Sequence, residues 1–400
     1  MRSYDRTWAD IDLDAIYGNI ERTRKIVDPH AGILAVVKAD AYGHGAVPVA
    51  KTLDPLVCGF AVAIPEEGEE LRRAGIRKPI LILGYVPESQ NESCIRASLT
   101  ETVFGYEMAE AISRTAQACG TTAEVHIKVD TGMSRIGFRP DHESALEVRR
   151  IAALPGIRIT GMFTHFACAD MMDKASAREQ YRRYAAFAEE LEKLGIHIPV
   201  KHVANSAAII DLPEYDLDMV RSGITTYGLY PSEEVNKARL PLEPALSWKA
   251  KIVFVKEVPA GVGIGYGSTF VTMRPTRVAT ISAGYADGYP RSLSNRGRVL
   301  IHGHSCPILG RVCMDQFMVD VSGIPDAKTG DTAVLIGKDG TEEISAEEFG
   351  AVAGSFNYEV VCDISGRVPR VYHRGGRIVG TMEHFHDYPN DFEEAVQGQA

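Results

Sequence analysis

The sequence lacks several features that would mark other classes of protein. Its seven cysteines form no Cys-x-x-Cys pair, so we expect reduced thiols and neither a disulfide framework nor a zinc site. It has no basic run and a net charge of −10, which argues against nucleic acid and membrane as partners. No apolar stretch suits a membrane span, and the first residues lack a secretory signal. We therefore expect a soluble cytoplasmic protein.

A metal site is also not expected. No cluster of further Cys or carboxylate residues accompanies the close pairs His302/His304 and His384/His386. Two histidines alone do not complete the ligand set of a protein metal site. We interpret both pairs as surface or loop histidines.

Two sections of the chain differ in the pattern of their apolar residues. From residue 11 to 240, short apolar runs alternate with amphipathic segments, which predicts an α/β fold, a parallel (β/α)8 barrel of the TIM type. The eight runs are ILAVV, GFAVA, ILILG, LTETVF, AEVHIKV, IRITGMF, PVKHVA and DMVRSGI. From 241 to 390, strand-like runs separated by Gly, Pro and Asp predict an all-β domain, which residues 1–10 join. A linker near 232–244 separates the two, and residues 391–400 are expected to form a flexible tail.

The ends of the predicted barrel strands carry the candidate site. In such a barrel these ends share one face, where side chains from different strands can meet one ligand. Lys38 directly follows the apolar run ILAVV, and burial there would favour the neutral amine that a Schiff base requires. A lysine that simply emerges into solvent is the other interpretation. The remaining strand ends supply Lys128, Arg135, His165, Asn205, Ser206, Arg221, Gly223 and Ile224. This set suits an anionic cofactor that forms an imine, with its phosphate on Ser206 and on backbone N–H groups.

Nine segments, in order, resemble the alanine racemases, fold-type III enzymes that depend on pyridoxal 5′-phosphate (PLP). The segments are VVKADAYGHG, KVDTGMSRIGF, THFACAD, HVANSAA, RSGITTYGLYP, VGIGYGSTF, SAGYADGYPR, GRVCMDQFMVD and NYEVVCDISGRVPR. They extend over nearly the whole chain, and nine in the right order are far more specific than any one alone. The resemblance implies interconversion of L-alanine and D-alanine by a homodimer, which would supply D-alanine for peptidoglycan.

The resemblance also implies the catalytic residues. Lys38 would bind PLP covalently and act as one base. Tyr266 of the partner subunit would be the second base, because racemisation exchanges protons on opposite faces of Cα. His165 and Arg221 would be hydrogen-bonded neighbours of Tyr266, and Arg221 would also face the pyridine nitrogen of PLP.

The other implied roles concern binding and access. The cofactor-binding positions are Tyr42, Asn205, Ser206, Gly223, Ile224 and Tyr358. Near the substrate carboxylate lie Arg135 and the backbone N–H of Met314, with Lys128 orienting Arg135 after carbamylation and Asp315 fixing the neighbouring loop. The entry channel would be lined by Asp170, Tyr285, Arg291 and Arg311.

Three other functions remain open. A serine or broad-specificity racemase of the same fold is one, although Tyr358 and Met314 would crowd the space beyond Cβ and favour a methyl group. A PLP-dependent decarboxylase is another, but the chain lacks the Gly-Gly-Gly and Cys-Glu-Ser stretches usual in those enzymes. A non-catalytic PLP-binding protein is the third, and such proteins resemble the barrel alone.

Overall fold

The computed structural model describes residues 6–383, so the expected tail at 391–400 and the pair His384/His386 lie outside the described residues. The chain forms two compact units. One is Leu13–Ala245, and the other joins the residues up to Asp12 with those from Leu246 onward. Within residues 6–383, none of the helices combines the length and apolar character needed to span a bilayer.

The unit Leu13–Ala245 is the predicted parallel barrel. Counting from β1 (Thr7–Asp12), which belongs to the other unit, its strands are β2 (Gly32–Val36), β3 (Gly59–Val62), β4 (Ile80–Ile82), β5 (Glu101–Val103), β6 (Ala123–Lys128), β7 (Ile157–Phe163), β8 (Val200–His202) and β9 (Met219–Ser222). They pair in the orders β4-β3-β2-β9 and β5-β6-β7-β8. The Ile82 N–H donates to the Thr100 carbonyl at 2.9 Å and the Arg221 N–H to the Ala204 carbonyl at 3.0 Å. These bonds join the two sheets at both seams, so the strands form a closed ring.

Helices follow most of the strands. They are α1 (Leu13–Ile26), α2 (Lys38–Gly43), α3 (Ala46–Leu53), α4 (Pro65–Arg73), α5 (Asn91–Arg96), α6 (Tyr106–Ala118), α7 (His142–Ala152), α8 (Ala175–Lys193) and α9 (Ser206–Asp211). The longest, α8, shows why they form. Its buried residues Ala177, Gln180, Tyr184, Phe187 and Leu191 recur every three or four positions and form one stripe, the spacing of a single helix face.

The short helix α2 is left-handed at its centre. Residues 39–42, which are Ala, Asp, Ala and Tyr, have φ between 51° and 54°. This conformation costs an L-residue roughly 1–2 kcal/mol. The Ala46 N–H donates to Asp40 Oδ1 at 2.6 Å, which ties the turn to the start of α3. The turn places Tyr42, which is only 8% exposed, inside the barrel unit.

The second unit is rich in β-strands, as predicted: within residues 6–383, ten of them form one large sheet and two short ones pair separately. Its strands after β1 are β10 (Leu246–Val258), β11 (Gly263–Ile264), β12 (Phe270–Val271), β13 (Thr276–Ile281), β14 (Arg298–Ile301), β15 (His304–Leu309), β16 (Phe317–Asp320), β17 (Thr332–Asp339), β18 (Glu342–Ile344), β19 (Arg370–Arg374) and β20 (Arg377–Met382). The order is β18-β17-β14-β15-β16-β13-β10-β1-β19-β20, and β17 also pairs with β10. Because of that extra pairing, the six strands from β17 to β10 close on themselves, while β1 continues the sheet to β19 and β20.

Two helices in this unit were not predicted. They are α10 (Ala346–Ala353) and α11 (Asn357–Asp363). Ser345 caps α10, since its Oγ accepts a hydrogen bond from the Glu348 N–H at 3.1 Å, and Gly354 ends the helix with φ 81°. The Ser-x-x-Glu pattern followed by a terminal glycine is a recognised helix signal, so the sequence did contain the information for α10.

Candidate active site

A group of hydrogen-bond donors lies where β9 ends. Ser206 Oγ accepts from the Gly223 N–H at 2.9 Å and from Thr225 Oγ1 at 3.1 Å, which leaves its own hydrogen to donate. A Cβ added to Gly223 would lie 3.1 Å from Tyr42 Oη and 3.5 Å from Ser206 Oγ. Glycine therefore keeps open a small space onto which two hydroxyl groups converge. The next residue, Ile224, is completely buried.

Asn205 holds the start of α9 in place. Its Oδ1 accepts from the Ala208 N–H at 3.0 Å, and its Nδ2 donates to the Phe166 carbonyl at 3.5 Å. These contacts cap the helix whose first residue is Ser206. A direct contact of Asn205 with a cofactor stays a prediction.

Arg221 is a buried cation whose hydrogen-bond partners are all neutral. It is 3% exposed, and within residues 6–383 no carboxylate forms an ion pair with it. Its guanidinium donates to His202 Nδ1 at 2.9 Å and to the carbonyls of Thr164 and Val203 at 2.8 and 2.9 Å, and lies 3.4 Å from His165 Nδ1. Burial lowers its pKa to about 10, so it stays protonated at neutral pH.

The histidines around Arg221 are neutral. Burial, and then the charge of Arg221, lower the pKa of His126 to about 4 and hold the pKa of His165 and of His202 well below the usual range. Arginine has no acceptor, so His202 Nδ1 accepts its bond and His202 carries its hydrogen on Nε2. That hydrogen donates to His126 Nδ1 at 3.0 Å. A Cβ at Gly161 would lie 2.5 Å from the His126 ring, so a glycine must stand there.

Lys128 lies inside the barrel and is 4% exposed. Its Nζ donates to the Val129 carbonyl at 2.9 Å. Burial, followed by the charge of Arg221, lowers its pKa to about 7, because the ammonium form loses its hydration there. Arg135 lies further along the chain, in an exposed loop. The turn before it is held by Asp130 Oδ1, which accepts hydrogen bonds from the N–H groups of residues 132–134, each at 3.0 Å.

Lys38 follows β2 as the sequence predicts, and its side chain is partly buried. Burial is the largest cause of the lowered pKa of His165, and the charge of Lys38 is a further, smaller one, so Lys38 lies near enough to His165 to interact with it electrostatically. Asp170 lies in the loop after β7, where its carbonyl accepts from Ser232 Oγ.

The candidates of the second unit lie on turns. Tyr266 is 71% exposed on the connection between β11 and β12. Arg311 borders it, since Arg311 Nη1 would lie 3.2 Å from a Cβ at Gly267. Tyr285 and Met314 are also exposed.

A second set of contacts joins these turns. The Tyr285 N–H donates to the Cys313 carbonyl at 3.1 Å and the Ala286 N–H to the Met314 carbonyl at 3.0 Å. Asp315 pairs with Arg367 at 2.8 Å. Burial raises the pKa of the Cys313 thiol, and the nearby charge of Arg291 offsets part of this rise. The unit therefore gathers Tyr285, Arg291, Met314 and Asp315, while Tyr358 lies on α11.

Sequence reasoning missed the residues that hold this site. His126 and His202 lie within the apolar runs AEVHIKV and PVKHVA, where a histidine among buried residues was the available signal. Gln180 occupies the buried stripe of α8, and a polar residue at such a position usually makes specific hydrogen bonds. Among residues 6–383 no cluster of three or more His, Cys, Asp or Glu side chains could hold a metal ion.

A parallel barrel with a lysine after one strand and hydrogen-bond donors after others is the architecture of a cofactor-dependent barrel enzyme. The family model "Alanine racemase, N-terminal domain" matches residues 11–231, and "Alanine racemase, C-terminal domain" matches residues 245–372. The chain belongs to the alanine racemase family, whose members are PLP-dependent enzymes.

Individual relatives agree with the family models. The alanine racemase of Halothermothrix orenii is 51% identical over 367 residues, which cover 92% of this chain and 96% of the relative. That of Methanococcus maripaludis is 49% identical and covers 91% and 98%. The structure of alanine racemase from Clostridium difficile 630 superposes with a TM-score of 0.94 at 43% identity, covering 96% and 100%.

The barrel residues fit PLP. The space at Gly223, which a Cβ would fill, is bordered by donors that suit a phosphate group. Arg221 supplies a permanent donor that suits an unprotonated ring nitrogen, and Lys38 supplies the amine that an aldehyde requires. The hydrogen-bonding groups around Gly223 are hydroxyl and N–H groups, and no carboxylate is among them. This donor set suits the negative charge of a phosphate group.

Proposed function

We propose that this chain interconverts L-alanine and D-alanine with PLP as cofactor and two bases on opposite faces of Cα. The observation that carries the mechanism is Arg221, a buried cation bound only to neutral acceptors. Arginine donates a hydrogen bond but hardly releases a proton. A ring nitrogen facing it would stay unprotonated, which limits how far negative charge accumulates on the cofactor and disfavours transamination.

The proton transfers belong to two side chains. When bound, PLP lowers the energy needed to break the Cα–H bond of the substrate. Lys38 takes or returns the proton on one face, and Tyr266 of a second copy does so on the other, because one fixed base cannot easily serve both faces. The exposure of Tyr266, 71% within its own chain, supports a role in the site of another copy. The active species is then a homodimer with two shared sites.

Arg135 and the Met314 N–H would bind the substrate carboxylate. Lys128 would orient Arg135 after carbamylation, in which its neutral amine forms an N–C bond to carbon dioxide and releases a proton. The lowered pKa of Lys128, about 7, supports this because it makes the neutral amine common at neutral pH. The product is an anion, which would replace the repulsion between Lys128 and Arg135 by an attraction.

The remaining candidates would serve binding and access. Phosphate would be held by Tyr42, Ser206, Gly223, Ile224 and Tyr358, and the approach lined by Asp170, Tyr285, Arg291 and Arg311. The proposed role is the supply of D-alanine for peptidoglycan in the cytoplasm.

The test is an incubation with PLP and L-alanine in D2O, with the enantiomers resolved and deuterium measured at Cα. We expect D-alanine with deuterium at Cα, and little reaction with L-serine in a parallel sample. Serine turnover equal to that of alanine would establish a broader racemase, and no racemisation of either would refute the reaction.

Tyr266→Phe and sedimentation test the second base. We expect Tyr266→Phe to bind PLP normally and to lose racemisation, because it loses only the phenolic oxygen. Full activity in this variant, or in a protein that sediments as a monomer, would contradict the shared site.

A further inference from the structure

Gln180 is a buried amide whose hydrogen-bonding groups are all used. It lies on α8 and is 3% exposed. Its Oε1 accepts from the Ala167 N–H at 2.9 Å, and its Nε2 donates to the His165 carbonyl at 3.1 Å and to Thr131 Oγ1 at 3.2 Å. A buried amide without such partners costs several kcal/mol, so this arrangement favours glutamine at the position.

The partners of Gln180 lie on two loops that carry the candidate site. Thr131 begins the turn between Lys128 and Arg135, and the contacts at 165–167 follow β7. The two loops also touch each other, since Thr131 Oγ1 lies 2.8 Å from Thr164 Oγ1. Both hydroxyl groups are buried, with 1% and 0% of the two residues exposed. Gln180 therefore closes a network that spans the ends of β6 and β7.

The segment after β7, at residues 164–165, is also held by Arg221 on β9. Arg221 donates to the Thr164 carbonyl at 2.8 Å, and Gln180 donates to the next carbonyl along the chain, that of His165. Two consecutive peptide groups are thus bound by donors from two different elements. Because buried polar groups are costly to leave unpaired, this double attachment holds the backbone that carries His165 in place relative to Arg221.

Helix packing alone does not explain the amide. Two neighbours on α8 make other contacts: Tyr184, one turn further on, donates to the Met162 carbonyl within β7 at 2.7 Å, and the exposed Arg183 donates to the Thr131 carbonyl at 3.2 Å. Tyr184 therefore fastens α8 to the strand, whereas Gln180 fastens it to the loops. The pair offers a matched comparison on one helix face.

We propose that Gln180 is a positioning residue for the racemase, which holds His165 and the turn before Arg135 at a fixed separation. The inference rests on the proposed function, in which His165 neighbours the second base and Arg135 binds substrate. Gln180 itself touches neither substrate nor cofactor. Its contribution to the rate is entirely through the two loops.

The experiment compares Gln180→Met with Tyr184→Phe in the PLP-loaded enzyme. Hydrogen exchange, followed by mass spectrometry, reports the peptides that contain residues 129–134 and 164–169. We expect faster exchange in both peptides of Gln180→Met, because the Ala167 N–H loses its acceptor and Thr131 loses its bond to the Gln180 amide. Exchange there should be unchanged in Tyr184→Phe. We also expect kcat/KM for alanine to fall about tenfold in Gln180→Met, equivalent to about 1.4 kcal/mol.

A second readout separates positioning from general stability. With alanine deuterated at Cα, the primary isotope effect in Gln180→Met should rise in the direction in which Tyr266 removes the proton, and less in the other. If Gln180→Met does not fold, Gln180→Leu replaces it, since it also removes the acceptor for Ala167 and both donated bonds.

Each result decides the proposal. Unchanged exchange in the two loops refutes positioning, whatever the activity. Faster exchange with unchanged kcat/KM, or an equal loss in Tyr184→Phe, also refutes it. If the unmodified enzyme does not racemise alanine, the proposed function fails, while the exchange data still decide whether Gln180 holds the loops.

Discussion

The space beside Gly223 predicts that Gly223→Ala weakens PLP binding. The added Cβ would lie 3.1 Å from Tyr42 Oη and 3.5 Å from Ser206 Oγ, where a phosphate oxygen would receive its hydrogen bonds. A hydrogen bond to a charged group is worth about 1.5–3 kcal/mol. If one or two are lost, binding should weaken by roughly 2–5 kcal/mol, or between about 30-fold and several thousand-fold.

The assay is a titration of the apoenzyme with PLP, followed by the absorbance of the bound cofactor. Gly105→Ala is the matched control, because a Cβ there meets only Glu107 Oε2 at 3.9 Å in the same unit. Ser206→Ala removes one of the hydroxyl groups without changing the backbone, and should weaken binding about tenfold or more. The reasoning is refuted if Gly223→Ala keeps the thermal stability of the parent apoenzyme and binds PLP with unchanged affinity.

Three further predictions use the buried charges. Arg221→Glu should lower kcat at least 100-fold and raise pyruvate formation, because a carboxylate favours a protonated ring nitrogen; product analysis that finds no more pyruvate would contradict this. Carbon-13 NMR in labelled bicarbonate should show a carbamate signal that Lys128→Met abolishes. If the spectrum shows no such signal and the intact mass is that of the unmodified chain, carbamylation of Lys128 is excluded. Burial raises the pKa of Glu101 to about 8, so the folded state binds more protons than the unfolded state between about pH 4.5 and pH 8. Stability from this group is lost as pH rises through that window, by up to about 5 kcal/mol; urea unfolding should show Glu101→Gln gaining stability relative to the parent at pH 8.5 but not at pH 4.5.

Local pattern was enough to predict the barrel and many of its strand-end residues. The run before Lys38 is apolar throughout, which is typical of a strand buried on both faces, and Lys38 ends it abruptly. The (β/α)8 prediction is confirmed by the eight parallel strands and by the family match. The roles given to individual residues stay predictions, because they came from resemblance.

Other features depend on contacts between distant segments. Gln180 contacts residues 13 to 49 positions away, so its partners cannot be read from α8 alone. The left-handed turn at 39–42 contains Ala, Asp, Ala and Tyr, and only Asp among them has any tendency toward positive φ. Gly161 and His126 are 35 positions apart, and the sequence of neither strand alone predicts that the glycine leaves space for the histidine ring.

The left-handed turn has a consequence for the order of assembly. At roughly 1–2 kcal/mol for each of four residues, the turn costs about 4–8 kcal/mol, which is comparable with the whole stability of many domains. We expect a newly made chain to adopt the turn only when the surrounding barrel supplies compensating contacts, such as the tilted ring contact between Tyr42 and Tyr227, whose centroids lie 5.0 Å apart. We therefore expect the Tyr42 hydroxyl to reach its place only after the barrel around it has formed, and the cofactor to be loaded into a finished barrel.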